Sequence, residues 1–162
     1  MKTTKYILSL FILLIAMSCA LESKYALPNE ELINTNLLGD WYGPEDPDNF
    51  VRISKRTDKT YTVTVFEKDE KQAVSQAFSK SIKGYNILNL ITTYDDKTTN
   101  TFFGFTVNGN SLTYFDVNRA LKKDGFSSKK ELLDFFEKNI SKEDFFQDPI
   151  ELKKNNVSQQ GI

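Results

Sequence analysis

The feature that most constrains this chain is a period of two. From Tyr61 to Phe66, Tyr61, Val63 and Val65 face one way and Thr62 and Thr64 the other. That is the pattern of a β-strand with one buried side. Similar short runs flank it: Leu37 to Tyr42, Phe50 to Lys55, Gln72 to Ile82 and Tyr85 to Thr92. Each ends in turn-forming or charged residues. These are Gly43-Pro44 and the polar stretch to Asn49, Arg56-Thr57-Asp58-Lys59, Glu67 to Lys71, Lys83-Gly84, and Thr93 to Asn100. Such punctuation predicts tight connections and therefore antiparallel neighbours.

The sharpest local signal is Asn108-Gly109. Both residue types tolerate the positive φ of a type I′ turn. With those two as the loop, Phe105 pairs with Leu112 and Phe103 with Tyr114. Phe103, Phe105, Leu112 and Tyr114 then share one face.

After residue 117 the alternation stops. Ser128-Lys129-Lys130-Glu131 is a capping box, in which the serine oxygen accepts from the Glu131 amide and the glutamate reaches back. Behind it, Leu132, Phe135, Phe136 and Ile140 recur at helical spacing, opposite Lys129, Lys130, Asp134, Glu137 and Lys138. Pro149 then introduces a short strand, Ile150 to Lys153. The expected fold is mainly β: an antiparallel meander of about seven strands, one C-terminal amphipathic helix, and a last strand. Such a meander closes into a barrel because closure removes its exposed edges.

The N-terminus reads as an address. Lys2 and Lys5 precede an apolar run from Tyr6 to Met17, followed by Ser18, Cys19 and Ala20. This is the layout of a secretory signal peptide, and the run is shorter than the roughly 20 residues of a spanning helix. Ala16-Met17-Ser18-Cys19 resembles a bacterial lipobox, with alanine where leucine is usual, and it contains the chain's single cysteine. Cleavage before Cys19 and its acylation, palmitate included, would give a lipoprotein of the bacterial cell envelope. The outer membrane is favoured over the inner. Ordinary secretory cleavage beside a stray cysteine is the alternative. On this reading residues 1–18 are the signal peptide, 19–36 a tether, 37–154 the barrel domain and 155–162 a flexible tail.

Gly39-Asp40-Trp41, at the start of the first strand of the meander, resembles the Gly-x-Trp motif of lipocalins and the wider calycin group. The resemblance covers roughly residues 37 to 117. It implies that Trp41 closes the floor of the barrel and that Gly39 lets the incoming segment cross beneath it. The chain departs from that family in two ways. The Thr-Asp-Tyr turn is absent, Thr93-Tyr94-Asp95 having another order, and fewer strands precede the helix.

Composition weakens most catalytic readings. The chain has no histidine, which removes the commonest general base and metal ligand. A net charge of −1 argues against binding nucleic acid through phosphate contacts. Adjacent Asp95-Asp96 reads as a solvated turn rather than a catalytic pair. Glu45, Asp46 and Asp48 surround Pro47 at no spacing typical of a calcium loop. Ser79 and Lys80 lie on a strand and point to opposite faces, which argues against a Ser-Lys pair. Asp116 continues the Leu112-Tyr114 face. It is either a rim residue meeting solvent or Arg119, or a polar anchor at a cavity mouth. Thirteen phenylalanines and seven tyrosines line an apolar site or pack the core, with Phe145-Phe146 placed to cover one barrel end.

Three functional classes follow: a module binding a small apolar or amphipathic ligand; a protein-interaction module, such as an envelope assembly factor or inhibitor of an external enzyme, with a filled barrel; and an enzyme using carboxylates alone. The first is favoured, without catalysis and without cofactor or metal. Its ligand would lie against Val63, Phe103, Phe105, Leu112, Tyr114 and Asp116. Intact-mass analysis of the membrane fraction should find acyl chains on Cys19. A Cys19→Ala chain should be neither processed normally nor retained on membranes; unchanged retention refutes the lipobox.

Overall fold

The computed structural model describes residues 20–44 and 46–154. The expected signal peptide with Cys19, and the expected tail from Asn155, lie outside them. Nine strands occur in the order β1 (Leu21–Ser23), β2 (Gly39–Gly43), β3 (Asp46–Lys55), β4 (Tyr61–Glu67), β5 (Glu70–Ile82), β6 (Tyr85–Tyr94), β7 (Lys97–Asn108), β8 (Ser111–Val117) and β9 (Phe146–Lys154). The helix α1 (Lys129–Asn139) stands between β8 and β9. Strands β2 to β8 form the meander, each antiparallel to the next. β9 then pairs with both β8 and β2 and shuts an eight-stranded barrel. The mainly β fold with its single late helix is as the patterning predicts. Among the described residues no helix is long and apolar enough to cross a membrane.

Turn chemistry sets the strand ends. Lys68-Asp69 and Asp95-Asp96 are two-residue turns with positive φ at both positions (49° and 63°; 46° and 61°), the geometry that suits the twist of a hairpin. β5 therefore starts at Glu70, two residues earlier than the alternation suggests. The Asn108-Gly109 loop is displaced by one residue. Asn108 pairs with Ser111, so Gly109 and Asn110 form the loop, with Gly109 at φ 58°. Phe105 consequently faces Tyr114, and Phe103 faces Asp116. The slip changes partners by two and leaves every side chain on its expected face.

Alternation has different consequences on the two sides of the wall. Inside, Trp41, Ile53, Tyr61, Val63, Ala77, Leu90, Phe105 and Leu112 form one core. Outside, Phe78, Ile82, Ile87 and Phe102 on β5–β7 form a second core with Leu132, Phe135 and Phe136 of α1 and with Ile140 at its C-terminal cap. Much of the aromatic content goes here: Phe102, Phe135, Phe136 and Phe145 make edge-on or tilted ring contacts. Phe145 and Phe146 do not cover a barrel end. They lie in this outer layer, where the Phe146 ring fills the space over Gly104.

The capping box holds with one change. The Glu131 amide donates to Ser128 Oγ at 3.1 Å, but the glutamate reaches back to the Ser127 amide (2.7 Å) and hydroxyl (2.5 Å). Lys122 also donates to it, and these hydrogen bonds, that from Lys122 foremost, hold its carboxyl at about 2.

Residues 20–36 are not a tether. β1 extends the sheet along β7 above the end of β8, and Ala20, Leu21 and Leu27 are buried. Two asparagines on the outer wall stitch this segment down. The Leu27 amide donates to Asn89 Oδ1 at 3.0 Å, Asn89 Nδ2 to Asn100 Oδ1 at 2.9 Å, and Asn100 Nδ2 to the Ser23 carbonyl at 3.3 Å. Asn89 is 0% exposed, so its partners replace water completely. Further on, Ile33 and Leu37 join the inner core at the end opposite the Asp95-Asp96 turn.

A Cβ at Gly104 would lie 2.3 Å from the Phe146 ring, while one at Gly43 meets nothing within 4 Å. Gly104→Ala should cost about 1–3 kcal/mol by overpacking, and Gly43→Ala much less. Denaturant unfolding followed by the emission of Trp41, the only tryptophan, measures both.

Candidate functional site: the upper interior of the barrel

Inward side chains change character along the barrel axis. At the lower end, where β3, β5 and β7 finish, the interior is filled. Trp41, Tyr61 and Ala77 are 0% exposed, so not even a water molecule fits against them. Gly39 takes φ 140°, and the Lys154 stem passes 3.0 Å from where its Cβ would stand. Trp41 Nε1 donates to the Leu37 carbonyl at 2.8 Å, and the Lys154 ammonium lies 4.7 Å from the indole centroid. The Tyr61 hydroxyl accepts from the Asn34 amide at 2.6 Å and shares a hydrogen bond with Ser79 Oγ at 3.1 Å. Burial raises the Tyr61 pKa against these bonds. The segment before β2 thus plugs the floor around Gly39 and Trp41.

Toward the other end, where β4, β6 and β8 finish, packing loosens and polarity rises. Val51, Val65, Phe103 and Tyr114 are only half-buried. Ser75 and Thr92 share a hydroxyl hydrogen bond at 3.3 Å, and Thr101 is buried on the inward side of β7. Asp116, 8% exposed, sits opposite Phe103 and one inward position beyond Tyr114. Val117, the next residue, packs outward into the helix layer, which fixes Asp116 as inward-facing.

Asp116 faces inward near the barrel end, and its carboxylate oxygens are not fully enclosed but still reach solvent. Among the described residues its carboxylate has no hydrogen-bond donor and no cation as partner; the charge acting on it is that of Asp148, another carboxylate. Burial, then Asp148, raises its pKa. The same burial, with the charge of Asp116, pushes Tyr114 up to about 12.

The residues singled out from sequence divide between the two ends. Phe105 and Leu112 belong to the filled lower layer. Val63, Phe103 and Tyr114 stand midway, the last two in edge-on contact at 5.9 Å, and Asp116 is at the top. Thr101, Ser75 and Thr92 complete the polar upper layer. Parity alone, counted back from Phe103 and Ala77 and on from Leu90, points them inward. Asp148 was not legible, because it depends on a register shift between β8 and β9 at Phe115.

The other candidates dissolve into structure. Ser79 points in and Lys80 out, toward Glu31 (3.2 Å) and Glu30 (3.6 Å). Glu45 and the side chain of Asp46 lie outside the described residues, and the Asp48 carbonyl accepts from the Lys68 amide at 2.8 Å. Compared with protein-family models, curated proteins and solved structures, the chain matches none. The closed eight-stranded meander is compatible with a lipocalin-like fold, and the likeness rests on that architecture and the Trp41 floor.

The raised pKa of Asp116 has a definite sign. A carboxyl protonated more readily in the folded state loses stability as pH rises from its unfolded value, about 3.9. Asp116→Asn should therefore raise the melting temperature at pH 7, and the gain should vanish below that pH. A lower melting temperature at pH 7 would mean that the carboxylate is a structural anchor with a partner of its own.

Proposed function

We propose that this protein is a non-catalytic, lipid-anchored cell-envelope protein that binds a small amphipathic or apolar ligand in the upper barrel. The observation that carries this reading is Asp116: an inward carboxylate, 8% exposed, that reaches solvent near the barrel end opposite half-buried Phe103 and beyond half-buried Tyr114. A buried charge without a partner is expensive in a fold that needs none there. It becomes useful when a ligand supplies a hydrogen-bond donor or a cation. Val63, Phe103 and Tyr114 then contact the apolar body, while Phe105 and Leu112 form the floor. Acylated Cys19 anchors the domain in the outer membrane in preference to the inner.

The filled lower half favours a second reading. If the side chains pack the whole interior when nothing is bound, the barrel is a rigid scaffold for an envelope protein partner, as an assembly factor or an inhibitor of an external enzyme. The two readings separate in one titration. A chain beginning at Ala20 should bind a fluorescent long-chain amine saturably. Asp116→Asn should weaken that binding about tenfold, equivalent to about 1.4 kcal/mol, without loss of stability. Phe105→Ala should cost about 3–5 kcal/mol, as for a packed core. No saturable binding by a folded parent chain would reject the ligand and leave the protein-partner reading.

A further inference from the structure

The inward polar groups at the upper end of the barrel share one property: each can accept a hydrogen bond. We infer that the ligand of the upper barrel is an organic primary amine, its protonated head seated between Asp116 and Thr101 and its apolar body against Phe103 and Tyr114. The inference rests on the ligand-binding reading above and names the head group which that reading left open.

Three observations converge. The first is a set of acceptors. Asp116 on β8 stands opposite Phe103 on β7, and Thr101 is the next inward residue beyond Phe103 toward the same end. Thr101 is 4% exposed, and its partner on β6 is Leu90 of the inner core, which fixes its side as inward. Among the described residues, the Thr101 hydroxyl, the Tyr114 hydroxyl and the Asp116 carboxylate make no hydrogen bond, and none of these oxygens is wholly enclosed. Diagonal neighbours on paired strands lie about 7–8 Å apart. A primary ammonium, with three N–H donors, bridges such a gap and reaches both sides.

The second observation is charge. The charge acting on Asp116 is that of Asp148, across the β8–β9 bulge. The hairpin turns at this end are acidic: residues 67–71 hold three acids and two lysines, and residues 94–97 two acids and one lysine. The turns at the opposite end reverse the balance, with Lys55, Arg56, Lys59 and Lys83 against Asp58. Such a field gathers cations at the upper end. A fatty acid would instead bring another carboxylate to Asp116.

The third observation is aromatic. Tyr94, the last residue of β6, has the inward parity of Leu88 and Leu90 and is yet 77% exposed. Its ring stands at the barrel entrance, with half-buried Phe103 farther in. Ring faces attract an ammonium on its way to a carboxylate. A trimethylammonium head keeps that attraction but has no N–H for Thr101 or Asp116.

The test is equilibrium dialysis of the full chain against four water-soluble probes. All share a phenylbutyl body, and the heads are ammonium, trimethylammonium, hydroxyl and carboxylate. The amine should bind about tenfold tighter than the alcohol and about fivefold tighter than the trimethylammonium compound, with the carboxylate weakest. Asp116→Asn should remove the advantage of the amine over the alcohol and leave binding of the alcohol unchanged. Tyr94→Ala, at an exposed position, should weaken the amine about threefold with Trp41 emission unaltered. Equal binding of amine and alcohol, or of amine and trimethylammonium, overturns the inference while leaving a ligand in the barrel. An Asp116→Asn chain that still prefers the amine overturns the placement of the head. Displacement of the amine by calcium chloride at constant ionic strength makes the site one for an inorganic cation and overturns the amine. Failure of all four probes to bind the folded chain rejects the ligand-binding reading itself.

Discussion

The barrel depends on one strand having two partners. β9 pairs with β8 on one side and with β2 on the other, and without it the first and last strands of the meander would both be open edges. Unpaired edges template further pairing, and closure within the chain removes them. The strand that closes the ring follows α1 in the chain, and α1 docks on the outside of the barrel. Its docking surface is the outer wall of β5–β7, where Phe78, Ile87 and Phe102 replace the polar side chains that an exposed wall would carry. That second apolar layer accounts for many of the phenylalanines.

Buried polar groups separate the structural from the functional. Asn89 and Asn100 are both buried, and each has its partners: one another, the Leu27 amide and the Ser23 carbonyl. They make the N-terminal segment part of the wall. Asp116 is inward on the opposite face, and burial, then the charge of Asp148, raises its pKa. Satisfied amides fix a segment at little net cost, while an inward carboxylate without such partners is held at a cost. The proposed ligand reading follows from that contrast.

The N-terminal segment is part of the domain: β1 pairs with β7, and Ala20, Leu21 and Leu27 are buried.

The resemblance of Gly39-Asp40-Trp41 to the lipocalin motif pointed to the Trp41 floor, and the sequence by itself determined the strand faces, the late helix and its cap, and the inward side of Asp116. Each follows from a local period or from turn chemistry that the backbone obeys wherever the segment sits. Strand partners were less secure: the turn at Gly109-Asn110 moved the pairing by two residues, a change that preserves face and so leaves no trace in the hydrophobic pattern. Only the tertiary structure decided that residues 20–36 join the fold, since Leu21 and Leu27 have no periodic partner nearby and find their contacts far along the chain. It alone decided that Phe145 and Phe146 pack outside the barrel, and that the charge acting on Asp116 is another carboxylate. Those outcomes depend on which distant elements meet, and distance along the chain carries no information about that.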